Sequence, residues 1–549
     1  MARKNQLPGD AHWWRNAVVY QIYPRSFADA NGDGIGDLRG IISRIDYLAS
    51  LGIDAIWLSP FYPSELADGG YDVADYMDID PRIGTLEQFD ELVEKLHGHG
   101  IRVFVDIVPN HCSDQHAWFQ AALAAGPGSP ERERFIFRDG RGEQGELPPS
   151  DLASHFGPEG WTRVPDGQWY MHLFTKEQPD FNWDNPEVNQ YFLDVLRFWS
   201  DRGVDGYRID VAHALKKQLE PLPDRPSYSL AVMKDDGTDP LFDRDEVQEV
   251  YAQWREVFND YDPPRVAVAE AWVHPNRRAP YASEAGLGQA FNFDLLASAW
   301  DAESFREIIE DNLQSAKETG SSSTWVMSNH DVIRHATRLV IPGYGSSLDG
   351  FTDEHNWYVK HRMNHDLDLE LGLARAKAAT LLILGLPGST YIYQGEELGL
   401  HDVLDIPSDQ MQDPSWFRGE GKLKSRDGCR VPLPWARAGS SFGFGPGGSH
   451  LPQPSWYGDS SVEAQEHESS STLNLYRKAI ALRKELGTSD DLSWIDSPQG
   501  TTVFRRGNWI VATNFSDKPA ELPTGEVILS SSGDESQLVP NSTVWLRAL

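Results

Sequence analysis

The chain has 549 residues, 40% of them hydrophobic and 24% charged, which is enough apolar material for a large core and too much chain for a single one. With 83 acidic against 49 basic residues the net charge is −34, so phosphate backbones and anionic lipid surfaces are repelled and a neutral substrate is expected. Two cysteines, Cys112 and Cys429, make no disulfide framework. The N-terminus MARKNQLPGDAHWW lacks an apolar stretch, so a cytoplasmic protein is expected.

In chain order, Val18–Tyr23 predicts a strand, Leu38–Ser50 a helix, Ile53–Leu58 a strand, Leu86–His97 a helix and Ile101–Ile107 a strand. Continuous apolar strands alternating with helices indicate a parallel sheet covered on both faces. The rhythm breaks over 111–180, rich in Gly, Pro and aromatics, which is expected to be an inserted subdomain. It resumes with a helix at Val188–Arg202 and a strand at Val204–Ile209. Further strands are expected at Val266–Ala269, Ala290–Phe293, Thr324–Met327 and Ser389–Tyr393. Eight strands are the count of a closed (β/α)8 TIM barrel. The helix Leu473–Leu486 ends it, and the alternation after 488 predicts a C-terminal antiparallel β domain. The expected organisation is a barrel from 1–110 and 181–487, an insertion at 111–180 and a β-sandwich at 488–549. The apolar run Ala378–Leu386 is too short to cross a membrane. Segments 215–245 and 425–470 are long and loop-like, a common setting for function.

In such a barrel, polar residues just beyond strand ends face the active site. The third strand ends in Asp106-Ile107-Val108-Pro109-Asn110-His111. The fourth runs into Arg208-Ile209-Asp210, the fifth into Ala269-Glu270 and the seventh into Asn329-His330-Asp331. Asp210, Glu270 and Asp331 therefore converge at one end. Glycoside hydrolysis uses such a set: one carboxylate attacks the anomeric carbon and a carboxylic acid protonates the leaving oxygen. Arg208 shares a strand face with Asp210 and is expected to keep it ionised. Glu270 has no neighbouring cation in the sequence and is expected to hold a proton more readily. The competing reading of one strand-end carboxylate is a helix cap or ion pair, and of one buried histidine a packed core residue. An acyl-type mechanism on either cysteine has no partner set.

The segment Asp29-Ala30-Asn31-Gly32-Asp33-Gly34-Ile35-Gly36-Asp37 places side-chain oxygens at alternating positions, which suits a hard cation such as Ca2+ or Mg2+. Gly40 at the twelfth position rules out an EF-hand. The alternative is a metal-free, Asx-rich turn. No cluster has the spacing of a catalytic metal site, and no organic cofactor is implied.

The segments DIVPNH, GYRIDVAH, EAW and SNHD, in this order, resemble the signature regions of glycoside hydrolase family 13, the α-amylase family. Gln178-Pro179-Asp180-Phe181-Asn182-Trp183 and WWRNAVVYQIYPRSFADANGDGIGDLRGI are similar to its α-glucosidase and oligo-1,6-glucosidase branch. The resemblance implies a retaining mechanism with Asp210 as nucleophile, Glu270 as acid/base and Asp331 as transition-state stabiliser. It implies sugar contacts from His111, Arg208 and His330, with Phe174 and Gln178 beside them. Asp68-Gly69-Gly70-Tyr71 resembles a segment whose Asp holds the terminal glucose hydroxyls and whose Tyr stacks under the ring; Gly69 replaces the usual Asn. Arg426, in Ser425-Arg426-Asp427-Gly428-Cys429-Arg430, resembles an arginine that closes the same pocket. It also implies a structural metal on the side chains of Asp29, Asn31, Asp33 and Asp37 and the carbonyl of Ile35. The expected activity is exo-acting hydrolysis of neutral α-gluco-oligosaccharides. A transglucosidase, trehalose synthase or sucrose isomerase is the alternative, and a non-catalytic sugar-binding relative a remote one. Val211, directly after the nucleophile, goes with α-1,6 action in part of the branch, but Ala212-His213 departs from that pattern. The sequence carries no signal for an oligomeric state.

Overall fold

The computed structural model describes residues 7, 9–224, 230, 232–347 and 350–549. Most of the N-terminal stretch 1–8 and part of the 215–245 loop lie outside the described residues.

Eight strands form one parallel sheet: β1 (Val18–Ile22), β2 (Ala55–Leu58), β3 (Arg102–Ile107), β4 (Gly206–Ile209), β5 (Val266–Ala269), β6 (Gly288–Ala290), β7 (Thr324–Val326) and β8 (Ser389–Tyr393). Their order is β7-β8-β1-β2-β3-β4-β5-β6. A parallel bridge between Asn292, just after β6, and Trp325 of β7 closes the sheet into a barrel.

Alternation along the strands separates two cores. Val19, Ala55, Trp57, Phe104, Val266, Val268, Val326 and Tyr391 pack together inside the barrel. Their neighbours, such as Val18, Tyr20, Ile56, Val103, Val105, Ala267 and Trp325, join the outer core under the helices. The inward row continues to the strand ends: Phe104 leads to Asp106, Gly206 to Arg208 and Asp210, Val268 to Glu270. The same two-residue period that fills the barrel therefore aims these polar groups at its open end.

The helices begin where capping residues permit. Thr85 caps α3 (Leu86–Gly98) by accepting from Gln88 N. Asn185 caps α4 (Pro186–Asp201), with Pro186 at its first position. The single helix expected over 38–50 is two, α1 (Leu38–Ile42) and α2 (Ile45–Leu51), which break at Ser43-Arg44. The sixth strand lies earlier than expected. Asn292 caps a short helix at Phe293–Ala297 by accepting from Leu295 N at 3.0 Å, so this apolar run turns helical directly after β6.

An antiparallel sheet of Phe137–Asp139, Trp161–Arg163 and Gln168–Met171 lies within the segment 111–180. A bridge between His111 and Asp180 ties its two ends together at the mouth of the barrel. The C-terminal strands from Ser493 to Arg547 pair as one five-stranded antiparallel sheet, where a sandwich has two. One face is sealed by the helix Leu369–Gly385, whose carbonyls at Ala378 and Leu381 accept from Thr543 Oγ1 (2.8 Å) and Trp545 Nε1 (2.9 Å). The apolar run at 378–386 thus belongs to a helix wedged between barrel and sheet. Among the described residues, no helix is long and apolar enough to cross a membrane.

Gly206 is required by the inner row. A Cβ there would stand 2.5 Å from the Phe104 ring. Gly206→Ala is expected to cost about 1–3 kcal/mol by overpacking, read as a lower midpoint in chemical denaturation. An unchanged midpoint would mean that Phe104 has room to move.

Candidate active site

Arg208 is the centre of the strand-end cluster. It is 2% exposed and faces Asp106 across the β3–β4 register. Its Nη1 donates to Asp106 Oδ1 at 2.9 Å and to Asp210 Oδ1 at 2.6 Å, and its Nη2 lies 2.6 Å from Glu270 Oε2. Glu270, expected to lack a cation, therefore receives one from the adjacent strand. It also accepts from Val211 N at 3.1 Å and Trp272 Nε1 at 3.2 Å. Val211 has φ +43°, a strained conformation for a β-branched residue, and in it the N–H turns toward Glu270.

One guanidinium thus serves three buried carboxylates. Burial raises Asp106 to about 7 against the pull of Arg208. Burial also raises Asp210 well above the usual carboxylate range; Arg208 opposes this, and the charges of Glu270 and Asp106 add to it. Arg208 is in contact with Asp210 as expected, but divided three ways it does not hold that carboxyl low.

Asp331 is treated oppositely. Its Oδ1 accepts from Arg430 Nη2 (2.8 Å) and Arg426 Nη1 (3.1 Å), and its Oδ2 lies 3.1 Å from His330 Nε2. Burial favours the acid form, yet the charges of Arg426, Arg430 and Arg208, with the His330 contact, outweigh it and hold Asp331 below the usual range. Burial keeps both site histidines neutral, lowering His111 to about 3 and His330 well below its ordinary value. They act through hydrogen bonds rather than charge.

Tyr71 stacks on His330 with ring centroids 5.2 Å apart and planes 2° from parallel, and its Oη is 2.6 Å from His330 Nε2. Gln178 donates to Asp68 Oδ2 at 3.3 Å and lies 3.0 Å from His111 Nε2. Arg426 Nη2 donates to Asp68 Oδ1 at 2.6 Å. Phe174 stacks on His155, centroids 4.7 Å apart.

These groups surround a cavity of about 670 Å3. Asp68, Tyr71, His111, Phe174, Asp210, Glu270, Asp331 and Arg426 line it directly. Gln178, Arg208 and His330 are buried behind that wall and act on it through the lining residues they touch. A depression of about 750 Å3 lies at the opposite end of the barrel, beside Ser321–Ser323 and Gly388, without any strand-end carboxylate. Chemistry rather than size therefore marks the site.

Several participants carried no clear sequence signal. Phe156, His155, Thr352, His355 and Lys424 also line the cavity, as do His213 and Trp272, which end the GYRIDVAH and EAW segments without an expected role there. Asp413 comes from a stretch with no periodicity, and Arg430, the last residue of the Ser425–Arg430 segment, sits in a short helix at Asp427–Arg430. Only Asp106, two residues past inward-facing Phe104, was legible from alternation. Cys112 and Cys429 are buried free thiols.

The 29–37 loop is closed by its own backbone. Asp29 accepts from Gly32 N (2.6 Å) and Gly34 N (2.9 Å). Asp37 accepts from Ala30 N (3.0 Å), Asn31 N (3.2 Å) and Gly40 N (2.7 Å). Asn31 Oδ1 accepts from Asp33 N and Asp33 Oδ1 from Ile35 N, both at 2.8 Å. Among the described residues, no group of three or more His, Cys, Asp or Glu side chains is arranged to hold a metal ion.

The catalytic-domain model of the α-amylase family matches residues 21–343 and 353–490. The chain belongs to the α-amylase family. It is a glycoside hydrolase on a TIM barrel. It is 36% identical over 495 residues to a probable α-glucosidase of Rhizobium meliloti (87% of this chain, 84% of that protein). It is 33% identical over 551 residues to an oligo-1,6-glucosidase of Parageobacillus thermoglucosidasius (92% and 91%). Among solved structures it resembles the α-glucosyl transfer enzyme XgtA, with a TM-score of 0.82, 33% identity and coverage of 98% and 99%. It also resembles the trehalulose synthase MutB of Pseudomonas mesoacidophila, with a TM-score of 0.81, 30% identity and coverage of 98% and 100%.

Asp106→Asn removes one of the like charges that raise Asp210 and frees an arm of Arg208. Both changes favour the ionised Asp210. The acid limb of kcat/KM against pH is therefore expected to move to lower pH, since the ionised form lies above that limb. A limb that stays or moves up would show that Asp106 does not act on Asp210.

Proposed function

We propose that this glycoside hydrolase is a retaining, exo-acting α-glucosidase that removes terminal α-linked glucose from short neutral oligosaccharides. One observation carries the reading. Asp68 and Arg426, paired at 2.6 Å, line the same cavity as Asp210, Glu270 and Asp331, and in this reading the pair closes its far end. A closed end admits one terminal sugar, whereas an open cleft would pass a chain.

In this reading Asp210 attacks the anomeric carbon while Glu270 gives its proton to the departing oxygen. Water then enters, Glu270 takes its proton, and the glucosyl–Asp210 ester is broken with net retention. Two carboxylates that share one guanidinium are close together. Closeness suits double displacement, with carboxyl groups about 5–5.5 Å apart, better than single displacement, which leaves about 6.5–9.5 Å for a water. Asp331, held ionised by its cations, faces the positive charge of the transition state. His111 and Tyr71 line the sugar pocket, while His330, Gln178 and Arg208 fix the groups that touch the sugar. Phe174 supplies an apolar face.

A second reading, transfer to a sugar acceptor or isomerisation, is supported by the resemblance to a transfer enzyme and a trehalulose synthase over nearly the whole chain. It uses the same first step and differs in the acceptor. We also propose the boundaries 111–180 and 488–549 for the insertion and the C-terminal domain, and a cytoplasmic location. The oxygen-only donors of Asp29, Asn31, Asp33, Ile35 and Asp37 support a structural Ca2+ or Mg2+ in that loop.

Purified protein incubated separately with maltose, isomaltose, trehalose and sucrose tests the main reading. Glucose released with α-configuration is expected from maltose or isomaltose; new disaccharides as the main product would establish the second reading instead. Asp210→Ala is expected to lower kcat by about 10^4-fold or more with the melting temperature unchanged. Substantial remaining turnover would remove the nucleophile assignment. A chelator is expected to lower the melting temperature before it lowers the rate; immediate loss of activity with unchanged melting would exclude a structural ion.

A further inference from the structure

The loop from Gln412 to Arg430 brings Arg426 onto the sugar pocket and Arg430 onto Asp331, and a buried carboxylate, Asp413, pairs with Arg426. Asp413 is 1% exposed. Its Oδ1 accepts from Arg426 Nη2 at 2.8 Å and its Oδ2 from Arg426 Nε at 2.9 Å, a two-pronged pair along one edge of the guanidinium. Oδ2 also accepts from the Arg426 backbone N–H, and Oδ1 caps the short helix Pro414–Arg418 through Ser415 N at 3.1 Å. Burial works against the ionised form, but Arg426 and Arg430 outweigh it and hold Asp413 below the usual range.

This pairing leaves Arg426 with a constrained set of further contacts. Nη2 reaches Asp68 at 2.6 Å and Nη1 reaches Asp331 Oδ1 at 3.1 Å. The guanidinium lies 5.0 Å from the Phe156 ring centroid. Asp331 Oδ1 already has Arg430 at 2.8 Å. A guanidinium released from Asp413 has a competing arrangement, a two-pronged pair with Asp331, which draws it off Asp68 and opens the far wall.

We propose that Asp413 is a positioning residue that sets sugar recognition by holding Arg426 between Asp68 and Asp331. The inference rests on the reading above that the Asp68–Arg426 wall receives the terminal sugar. Asp413 itself does not line the cavity, so it acts only through Arg426.

The test is a cycle of Asp413→Asn, Arg426→Ala and the double variant. Each is assayed for KM and kcat on the released-glucose substrate and for inhibition by 1-deoxynojirimycin, a glucose-sized iminosugar. Asparagine keeps an oxygen to cap the helix. Asp413→Asn is expected to raise KM and the inhibition constant about tenfold, with kcat changed by less than about threefold. In the double variant the Asp413 effect disappears, because Arg426 is no longer there to be aimed. Unchanged KM and inhibition in Asp413→Asn would overturn the proposal, as would full additivity in the double variant. If Arg426→Ala alone leaves KM unchanged, the terminal-sugar reading of the wall fails, which is a different outcome. Should Asp413→Asn fail to fold, Asp413→Ser, which also caps a helix but cannot form the two-pronged pair, must show the same KM rise.

Discussion

Arg208 sits where β3, β4 and β5 meet, and its guanidinium bridges Asp106, Asp210 and Glu270. Removing it would leave three buried carboxylates without their counter-charge, a change of the kind that costs about 3–5 kcal/mol even for one broken pair. Burial raises Asp106 and Asp210 against the pull of Arg208, with like-charge neighbours adding to it. A glycosidase that needs one ionised and one protonated carboxyl starts from such a cluster. The cost of burying these charges is met by the barrel, whose inner row of apolar side chains fixes the strands that carry them.

The other side of the pocket has the reverse balance. Asp331 meets Arg426, Arg430 and neutral His330, and stays ionised despite burial. The pocket therefore has one carboxylate rich in cations and a group of carboxylates poor in them, within a single cavity. That asymmetry separates a permanent negative charge from groups that exchange protons, and it arises from which loops converge rather than from the residue types.

Much of the fold was legible because a parallel barrel repeats a local pattern. Strands buried on both faces read as apolar runs, and β5 and β8 lie where alternation put them. The sixth strand was misplaced because Ala290–Phe293 is apolar enough for either state, and the Asn292 cap decides for helix. The two helices over 38–51 read as one because the break at Ser43-Arg44 contains neither Gly nor Pro. The chemistry at strand ends was legible for the same reason as the strands: Arg208 and Asp210, or Phe104 and Asp106, share a face by a two-residue period.

By itself the sequence determined the barrel, the strand-end carboxylates and the family, since these depend on residue type and on spacing within a few positions. Only the tertiary structure decided how charge is shared. Glu270 takes an arm of Arg208 because β4 and β5 are in register. Arg426 reaches Asp68 across 358 positions of sequence. Asp413 holds Arg426 from within a loop that has no period to read. Ionisation and aim depend on distance and burial in space, and those exist only once the chain has folded.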